Sequence, residues 1–242
     1  MSIIKVTAPT RISLYGGGTD VEPYVSEFGG AVISLAISLR QHLTLYSGDD
    51  IFSVQNEFPL SANPEFYYSL LKKYKVDGGK ATKIVSSYDG LIKAGLGSSS
   101  SAVVCLLGAL ARRLGLGLTR HEVAYRAWEY ENEFGIFCGK QDHFASAYGG
   151  LNYILFEKAR VDVVPLGEGE FLDYLTLFYV GGKKDQKVQK NFQTPTRQML
   201  RSLDILKYLT ASALPLFLQK KYAKLGELFD ISWEYKKRSN KV

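Results

Sequence analysis

Residues 95–103 read Gly-Leu-Gly-Ser-Ser-Ser-Ser-Ala-Val, and this stretch decides how the rest of the chain is interpreted. Its two glycines can adopt backbone conformations that other residues avoid, and an apolar run of helical character follows the four serines. A glycine-rich turn that opens onto a helix presents unpaired N–H groups and the positive end of the helix dipole, which together favour phosphate. One serine suffices to cap a helix, so four in a row favour an anion site over a simple capped turn.

Two common phosphate-binding motifs are excluded. A Walker A loop ends in Gly-Lys-Ser or Gly-Lys-Thr, whereas the nearest approach to it here has Gln141 after Gly139-Lys140 and is one residue short. A dinucleotide-binding fingerprint needs a glycine three positions after Gly97, where Ser100 stands. The loop therefore indicates a phosphate site of another kind.

The composition is that of a folded globular protein. Of the 242 residues, 46% are hydrophobic and 22% are charged, which excludes global disorder. The net charge of +6 suits either nucleic acid or a pocket for phosphorylated small molecules. The basic residues are mostly dispersed, with their densest groups at 183–184, 220–221 and 236–241, and they lack the interleaved aromatics of a single-strand binder. We therefore expect a small-molecule partner and no nucleic acid.

The two cysteines, Cys105 and Cys138, are too few for a disulfide framework or a cysteine metal cluster. Cys105 lies in the apolar run after the serines and is expected to be a small core residue. The N-terminal residues lack a basic region followed by a long apolar segment, and no apolar run approaches membrane-spanning length. These features predict a cytoplasmic protein without a membrane partner.

Hydrophobic periodicity predicts an alternation of strands and helices. Strands are expected at 3–6, 12–14, 31–36, 42–46, 83–88, 151–156 and 174–180, with a break around Pro9 between the first two. Helices are expected at 64–74, from the serine run to about Gly115, after an N-cap at Thr119 with Glu122 in a capping box, at 144–148, and across 200–209 and 216–233. A change of character after Pro165 indicates a lobe boundary within 157–170.

Glu131 and Asp142 form a second constellation. Transfer of a phosphoryl group to a hydroxyl needs a carboxylate on Mg²⁺ and often another to orient or deprotonate the alcohol. A carboxylate near a helix end and another after a glycine-bearing turn suit those two parts. The alternative is that both are surface acids, since Glu and Asp usually lie at the surface. Only the glycine-serine loop at 95–101 favours the catalytic interpretation.

A third constellation runs from Pro9 to Asp20. Arg11, on a predicted strand, is suited to neutralise a transferring phosphate or to lower the pKa of a nearby carboxylate. Asp20 follows Gly16-Gly17-Gly18 and is suited to accept hydrogen bonds from sugar hydroxyls. The alternative is a hairpin turn with a surface Asp, but three glycines permit a closer backbone approach than a simple turn requires.

These motifs together resemble the GHMP kinases. Ala8-Pro9-Thr10-Arg11 through Thr19-Asp20 is similar to the first motif of the family, and the glycine-serine loop is similar to the second. Within the family, Gly139-Lys140-Gln141-Asp142 and Tyr148-Gly149-Gly150-Leu151-Asn152 are typical of the branch of D-glycero-D-manno-heptose 7-phosphate kinases. The resemblance is specific over residues 1 to about 155 and looser beyond.

The resemblance implies a role for each matching position. It makes Asp142 the catalytic carboxylate and Arg11 its basic partner, and it assigns Mg²⁺ to Ser99 and Glu131. The phosphates of ATP would lie against Gly95, Leu96, Gly97, Ser98, Ser99, Ser100 and Ser101. The sugar would lie against Gly17, Gly18, Thr19 and Asp20, with Lys140 either contacting a substrate phosphate or remaining solvated.

The implied fold is α+β and two-lobed. An N-terminal ATP-binding domain over residues 1–160 would carry a mixed β-sheet with helices, and residues 161–242 would form part of a second α/β lobe. The third family motif, a second glycine-rich segment, is not found after Ser232 to Arg238, so the C-terminal lobe is expected to be incomplete. The proline that usually precedes Gly-Leu-Gly is also missing, at 91–94.

The expected function is phosphorylation of a sugar phosphate by ATP, at the anomeric hydroxyl of D-glycero-D-manno-heptose 7-phosphate. L-Fucose or galactose are alternative acceptors, because stereochemistry is read by pocket geometry that the sequence does not reveal. A truncated, inactive homologue that binds nucleotide or sugar is a further alternative, and a homodimer is left open.

Overall fold

The computed structural model describes residues 2–48, 57, 63–76, 82–91, 94–167, 169–181 and 192–239. The chain folds into two compact units, each built from several segments. The first unit comprises Met1–Thr10, Ile37–Ile136 and Asp142–Tyr148, and the second comprises Arg11–Ala36, Phe137–Gln141 and Gly149–Val242. The domain boundary at residue 160 stays a prediction.

Helices and antiparallel strand pairs are both present, which confirms the α+β class. The strands are β1 (Ser2–Tyr15), β2 (Gly30–Ser47), β3 (Thr82–Tyr88), β4 (Leu151–Phe156) and β5 (Val161–Pro165). The helices are α1 (Tyr24–Phe28), α2 (Pro64–Lys73), α3 (Ser98–Leu114), α4 (Arg120–Glu133), α5 (Gln141–Tyr148), α6 (Arg197–Leu218) and α7 (Tyr222–Ser239), with a 3₁₀ helix at Gly169–Tyr174. No helix in the described part of the chain is both long and apolar enough to span a membrane.

The strand order is β1-β2-β4-β5, and β3 also pairs with β2. In the first unit, β3 pairs antiparallel with the C-terminal part of β2, so that Leu43 faces Ser86. In the second unit, β4 pairs antiparallel with the N-terminal part of β2, and β5 pairs antiparallel with β4. The sheet is therefore built around the long strand β2.

Two of the expected strand breaks were wrong. β1 continues through Pro9 because β1 lies at an end of the strand order, where a residue without an N–H costs no ladder bond on the open side. β2 continues through 37–41 because its polar residues have partners: Arg40 Nε donates to Thr7 Oγ1 at 3.1 Å, and buried Gln41 donates to Ser86 Oγ at 2.7 Å.

Helix α3 forms the centre of the core of the first unit. Its buried face, which includes Cys105 at 0% exposure, packs with residues of α2, α4 and the sheet. The helix ends where Gly115 adopts a left-handed conformation (φ +62°), as the sequence predicted. The predicted capping box of Thr119 and Glu122 is also confirmed at the start of α4.

The second unit has its own apolar core, centred on aromatic residues. The Phe217 ring of α6 lies edge-on to Tyr15 of β1 and to Phe171 of the 3₁₀ helix. The strand predicted at 174–180 was wrong. That segment follows the 3₁₀ helix as an irregular, largely exposed stretch, and Phe178 is 77% exposed. The apolar run of this segment has the pattern of a strand, but within the described residues no strand pairs with it.

Candidate active site

The glycine-serine loop does open onto a helix. Gly95 and Gly97 both have left-handed backbone conformations (φ +77° and +75°), and Gly97 is the N-cap of α3. No side chain caps this end, although a Gly97 carbonyl accepts from Ser101 N at 3.0 Å. The first N–H groups of a helix have no acceptor within the helix, so this terminus has the polarity that anions favour.

Glu131 lies beneath the serines and is almost fully buried, at 1% exposure. Ser99 donates a hydroxyl hydrogen bond to Oε1, and Ser100 donates one to Oε2 at 2.7 Å. His143 brings Nε2 within 2.6 Å of Oε2. Burial alone would raise the pKa of Glu131, but the charge of His143 and the hydrogen bonds outweigh it and lower the pKa below its ordinary value. The carboxylate is therefore ionised at neutral pH.

His143 is the residue of this cluster that sequence reasoning missed. It follows Asp142 directly and is fully buried on α5, where Nε2 faces Glu131. The available signal was weak: His143 is one of only three histidines, and it stands beside a candidate catalytic residue. Nothing in the local pattern of 141–148 shows that α5 lies against the end of α4.

Asp142, in the first turn of α5, lies beside the loop itself. A Cβ placed on Gly97 would be 3.0 Å from Asp142 Oδ2. Asp142 thus lies beside the N-terminus of α3. Glu131 is buried, so the surface-acid alternative is wrong for it. Asp142 is partly buried, so it is not a fully exposed surface acid either.

The predicted magnesium ligands form a suitable donor set. Ser99 contributes a hydroxyl at an exposed position, and Glu131 contributes an ionised carboxylate bonded to that hydroxyl. Mg²⁺ prefers hard oxygen ligands, typically one or two carboxylates plus the phosphates of a nucleotide. The residues therefore fit the ion that the sequence resemblance implies.

The second unit contains the predicted sugar-binding residues. Asp20 is buried, and its carboxylate accepts from Gly18 N at 3.1 Å and Gln141 N at 3.0 Å. A surface Asp is thus excluded. Thr19 is buried, and its hydroxyl bonds to the backbone of Gly16 and Ala31, so these contacts are structural.

The glycines of this loop are approached by side chains of the same unit. Lys236 of α7 donates to the carbonyl of Gly17, and a Cβ on Gly18 would be 3.1 Å from the Phe192 ring and 3.2 Å from Lys236 Nζ. Glycine is therefore needed here partly to admit Lys236 and Phe192. Contact of Gly17 and Gly18 with a sugar stays a prediction.

Lys140 and Arg11 also belong to the second unit. Lys140 is 2% exposed and its ammonium lies 3.4 Å from the Glu22 carboxylate, so the solvated alternative was wrong. Its contact with a substrate phosphate stays a prediction. Arg11 lies on β1, as expected, and its pairing with Asp142 stays a prediction.

The start of α3, the buried carboxylate held by two serines and the neighbouring Asp142 thus lie together in the first unit. Residues 65–150 match the family model described as the GHMP kinases N terminal domain. This part of the chain is therefore a GHMP kinase N-terminal domain, and the chain is an enzyme of the class that phosphorylates alcohol groups.

Relatives of known activity are kinases. The D-glycero-alpha-D-manno-heptose 7-phosphate kinase of Campylobacter jejuni is 27% identical over 267 residues, which cover 98% of this chain and 78% of that protein. The galactokinase of Thermosipho africanus is 29% identical over 166 residues, which cover 63% of this chain and 46% of the relative.

Solved structures share the fold. A D-glycero-D-manno-heptose 1-phosphate kinase from Bacteroides thetaiotaomicron superimposes with a TM-score of 0.74 at 23% identity, covering 98% of this chain and 79% of that one. Lactococcus lactis galactokinase in complex with galactose superimposes with a TM-score of 0.66 at 18% identity, covering 100% and 76%. At these identities the similarity concerns the fold alone.

Proposed function

We propose that this protein is an ATP-dependent sugar-phosphate kinase. It transfers the γ-phosphoryl group of ATP to the anomeric hydroxyl of D-glycero-D-manno-heptose 7-phosphate. The observation that carries the proposal is the cluster at the start of α3, where Glu131 is buried, ionised and bonded to Ser99 and Ser100 beside the phosphate loop. Such a carboxylate costs free energy to bury, and a purely structural role would not require it to lie beneath an anion site.

The phosphates of ATP bind residues 95–101. Backbone N–H groups at the start of α3 and the helix dipole stabilise their charge. Ser99 and Glu131 hold Mg²⁺, which neutralises phosphate charge when it is bound. The left-handed glycines let the chain pass close to the phosphates, since neither Gly95 nor Gly97 carries a Cβ.

Asp142 orients the attacking hydroxyl and accepts its proton. The O–H bond of the sugar breaks as its oxygen bonds to the γ-phosphorus, and ADP leaves. The position of Asp142 supports this role because its Oδ2 lies next to the N-cap of α3, where the transferring group would be. Arg11 assists as the basic partner of Asp142, as the family resemblance implies.

The sugar binds against Asp20 and the Gly16–Gly18 turn. Asp20 is held by two backbone N–H groups, so its carboxylate is pre-positioned to accept further hydrogen bonds from hydroxyls. Lys140 contributes a cation for the phosphate already on the substrate. The heptose phosphate is preferred because the Campylobacter jejuni relative matches 98% of this chain.

Galactose phosphorylation is the second candidate. It is favoured by the galactokinase relative, which is 29% identical over 166 residues. The two candidates differ in whether the substrate already carries a phosphate. An existing phosphate contributes binding energy that helps to position the reacting hydroxyl, so a site built for it acts poorly on free sugars.

The test is ADP release with Mg²⁺·ATP and a panel of acceptors: D-glycero-D-manno-heptose 7-phosphate, mannose 6-phosphate, galactose and L-fucose. We expect the heptose phosphate to give the highest kcat/KM, and the Asp142→Asn variant to abolish the signal. A kcat/KM for galactose or L-fucose equal to or above that for the heptose phosphate would contradict the proposed substrate. Absence of ADP release with every acceptor would contradict the kinase activity.

A further inference from the structure

His143 has no role in the phosphotransfer outlined above, yet it makes one of the closest contacts of the site. Its side chain is fully buried, and Nε2 lies 2.6 Å from Oε2 of Glu131. The imidazole has no exposed surface, and its closest charged neighbour is Glu131. Its effect on the reaction must therefore pass through Glu131.

Three groups from two helices fix the orientation of the Glu131 carboxylate. Ser99 and Ser100, in the first turn of α3, contact Oε1 and Oε2 respectively. His143 contacts Oε2 from α5. The serines alone could let the carboxylate move together with α3, whereas a contact from a separate helix fixes it relative to both.

The arrangement leaves the two oxygens in different positions. Oε2 is shared by the buried residues Ser100 and His143, whereas Oε1 is bonded to Ser99, an exposed residue at the helix terminus. Oε1 is thus the oxygen bonded to the exposed residue of the pair. The contact of His143 with Oε2 holds the carboxylate with Oε1 on the Ser99 hydroxyl.

We propose that His143 is a positioning residue, which holds Glu131 so that Oε1 and the Ser99 hydroxyl together face a metal ion bound at the loop. This role rests on the proposed function, because it assumes that Glu131 and Ser99 are the metal ligands. Partners that orient a ligating group typically change metal affinity or activity 10- to 100-fold when they are replaced. His143 is expected to act on metal binding first and on nucleotide binding only through the metal.

The two ring nitrogens of histidine allow a sharp test. Gln places its amide nitrogen near the position of Nε2, whereas Asn is one methylene shorter and places it near Nδ1. His143→Gln should therefore keep a polar nitrogen close to Oε2, and His143→Asn should lose it. Ser146→Ala is a matched control: Ser146 is a buried residue of the same helix, and its hydroxyl has no hydrogen-bond partner within the described residues.

The measurement is calorimetric binding of a non-hydrolysable ATP analogue, with Mg²⁺ and with EDTA. For His143→Asn we expect the gain in affinity produced by Mg²⁺ to shrink 10- to 100-fold, with metal-free binding unchanged. His143→Gln should recover most of that gain, and Ser146→Ala should retain all of it.

Two outcomes would overturn the proposal. If His143→Asn and His143→Gln lose the Mg²⁺ effect equally, or both retain it, the Nε2 contact does not position Glu131. If the unaltered protein binds the analogue equally with and without Mg²⁺, the assumed metal site is wrong, and the proposed function fails with it. Thermal unfolding of each variant separates loss of the fold from loss of the contact.

Discussion

Asp142 Oδ2 lies so close to Gly97 that a Cβ at position 97 would be only 3.0 Å from it. The glycine at the start of α3 is thus needed for two reasons. Its φ of +75° is costly for any residue with a Cβ, and the space where that Cβ would lie borders the candidate catalytic carboxylate. The phosphate loop and Asp142 are therefore coupled sterically at this one position.

Replacing Gly97 by Ala should reduce turnover at least roughly tenfold, because Asp142 must shift to avoid the new methyl group. Gly115→Ala is the matched control. Gly115 lies at the other end of α3 with φ +62°, and a Cβ there meets nothing within 4 Å. Both variants should lose about 1–2 kcal/mol of stability from backbone strain. Steady-state kinetics and thermal unfolding distinguish the effects, and equal turnover in the two variants would contradict the steric coupling.

Asp142→Asn keeps the shape of the side chain and removes its charge. Turnover should fall by roughly 10² to 10⁴, the range typical of a lost general base, while nucleotide binding is largely retained. Glu133→Gln serves as the control, since Glu133 is an exposed carboxylate at the end of α4 that pairs with Lys73. Near-normal turnover in Asp142→Asn, measured by ADP release, would remove Asp142 from the mechanism.

The two thiols should differ sharply in reactivity. Burial raises the pKa of Cys105 to about 12, so its thiol is almost entirely protonated at pH 8. Cys138 is partly exposed. A thiol reagent such as DTNB should therefore modify one cysteine per folded chain at pH 8 and two after denaturation. Rapid modification of both thiols in the folded protein would show that α3 is not the packed helix described above.

The carboxylate of Glu122 should contribute stability that depends on pH. The backbone N–H of Thr119 and then its hydroxyl lower the pKa of Glu122 below the ordinary value of 4.5. A group with a lowered folded-state pKa stabilises the fold above its unfolded pKa and loses that effect as the pH falls through the folded pKa. At pH 7, Glu122→Gln should lower the Tm by about 1–3 °C.

This difference from the unaltered protein should begin to shrink as the pH falls below 4.5, the ordinary pKa of Glu122, and should disappear once the pH is below the lowered folded-state pKa. Circular-dichroism melting curves from pH 7 to pH 3 provide the measurement. Glu129→Gln is the control, because Glu129 is an exposed residue of the same helix. A Tm difference for Glu122→Gln that persists unchanged at pH 3 would argue against the charge-assisted cap.

Local patterns predicted those parts of the site that depend on helix ends. The start of α3 at the serine run, its end at Gly115 and the capping box of α4 all follow from residues within a few positions of each other. Such signals are local because caps and left-handed glycines act over a single turn. The site residues assigned by resemblance remain predictions even where the structure gathers them.

Features of the fold and the site that depend on contacts between distant residues could not be predicted from local patterns. The contact between His143 and Glu131 depends on how α5 packs against α4, which periodicity does not encode. The continuity of β1 through Pro9 depends on the place of β1 in the strand order. The error at 174–180 has the same origin, since an apolar run has the same appearance whether or not another strand pairs with it.

The capping box of α4 also has a consequence for how this site tolerates change. The cap fixes where the helix begins, and Glu131 is the twelfth residue after Thr119. Each residue advances an α-helix by about 1.5 Å and rotates it by about 100°. Deleting one residue between Thr119 and Glu131 would therefore turn the carboxylate away from Ser99 and Ser100, although every motif would still be present in the sequence. The length of α4 from its cap to Glu131 thus sets the direction of the carboxylate. We expect substitutions along the exposed face of α4 to be tolerated, but not insertions or deletions.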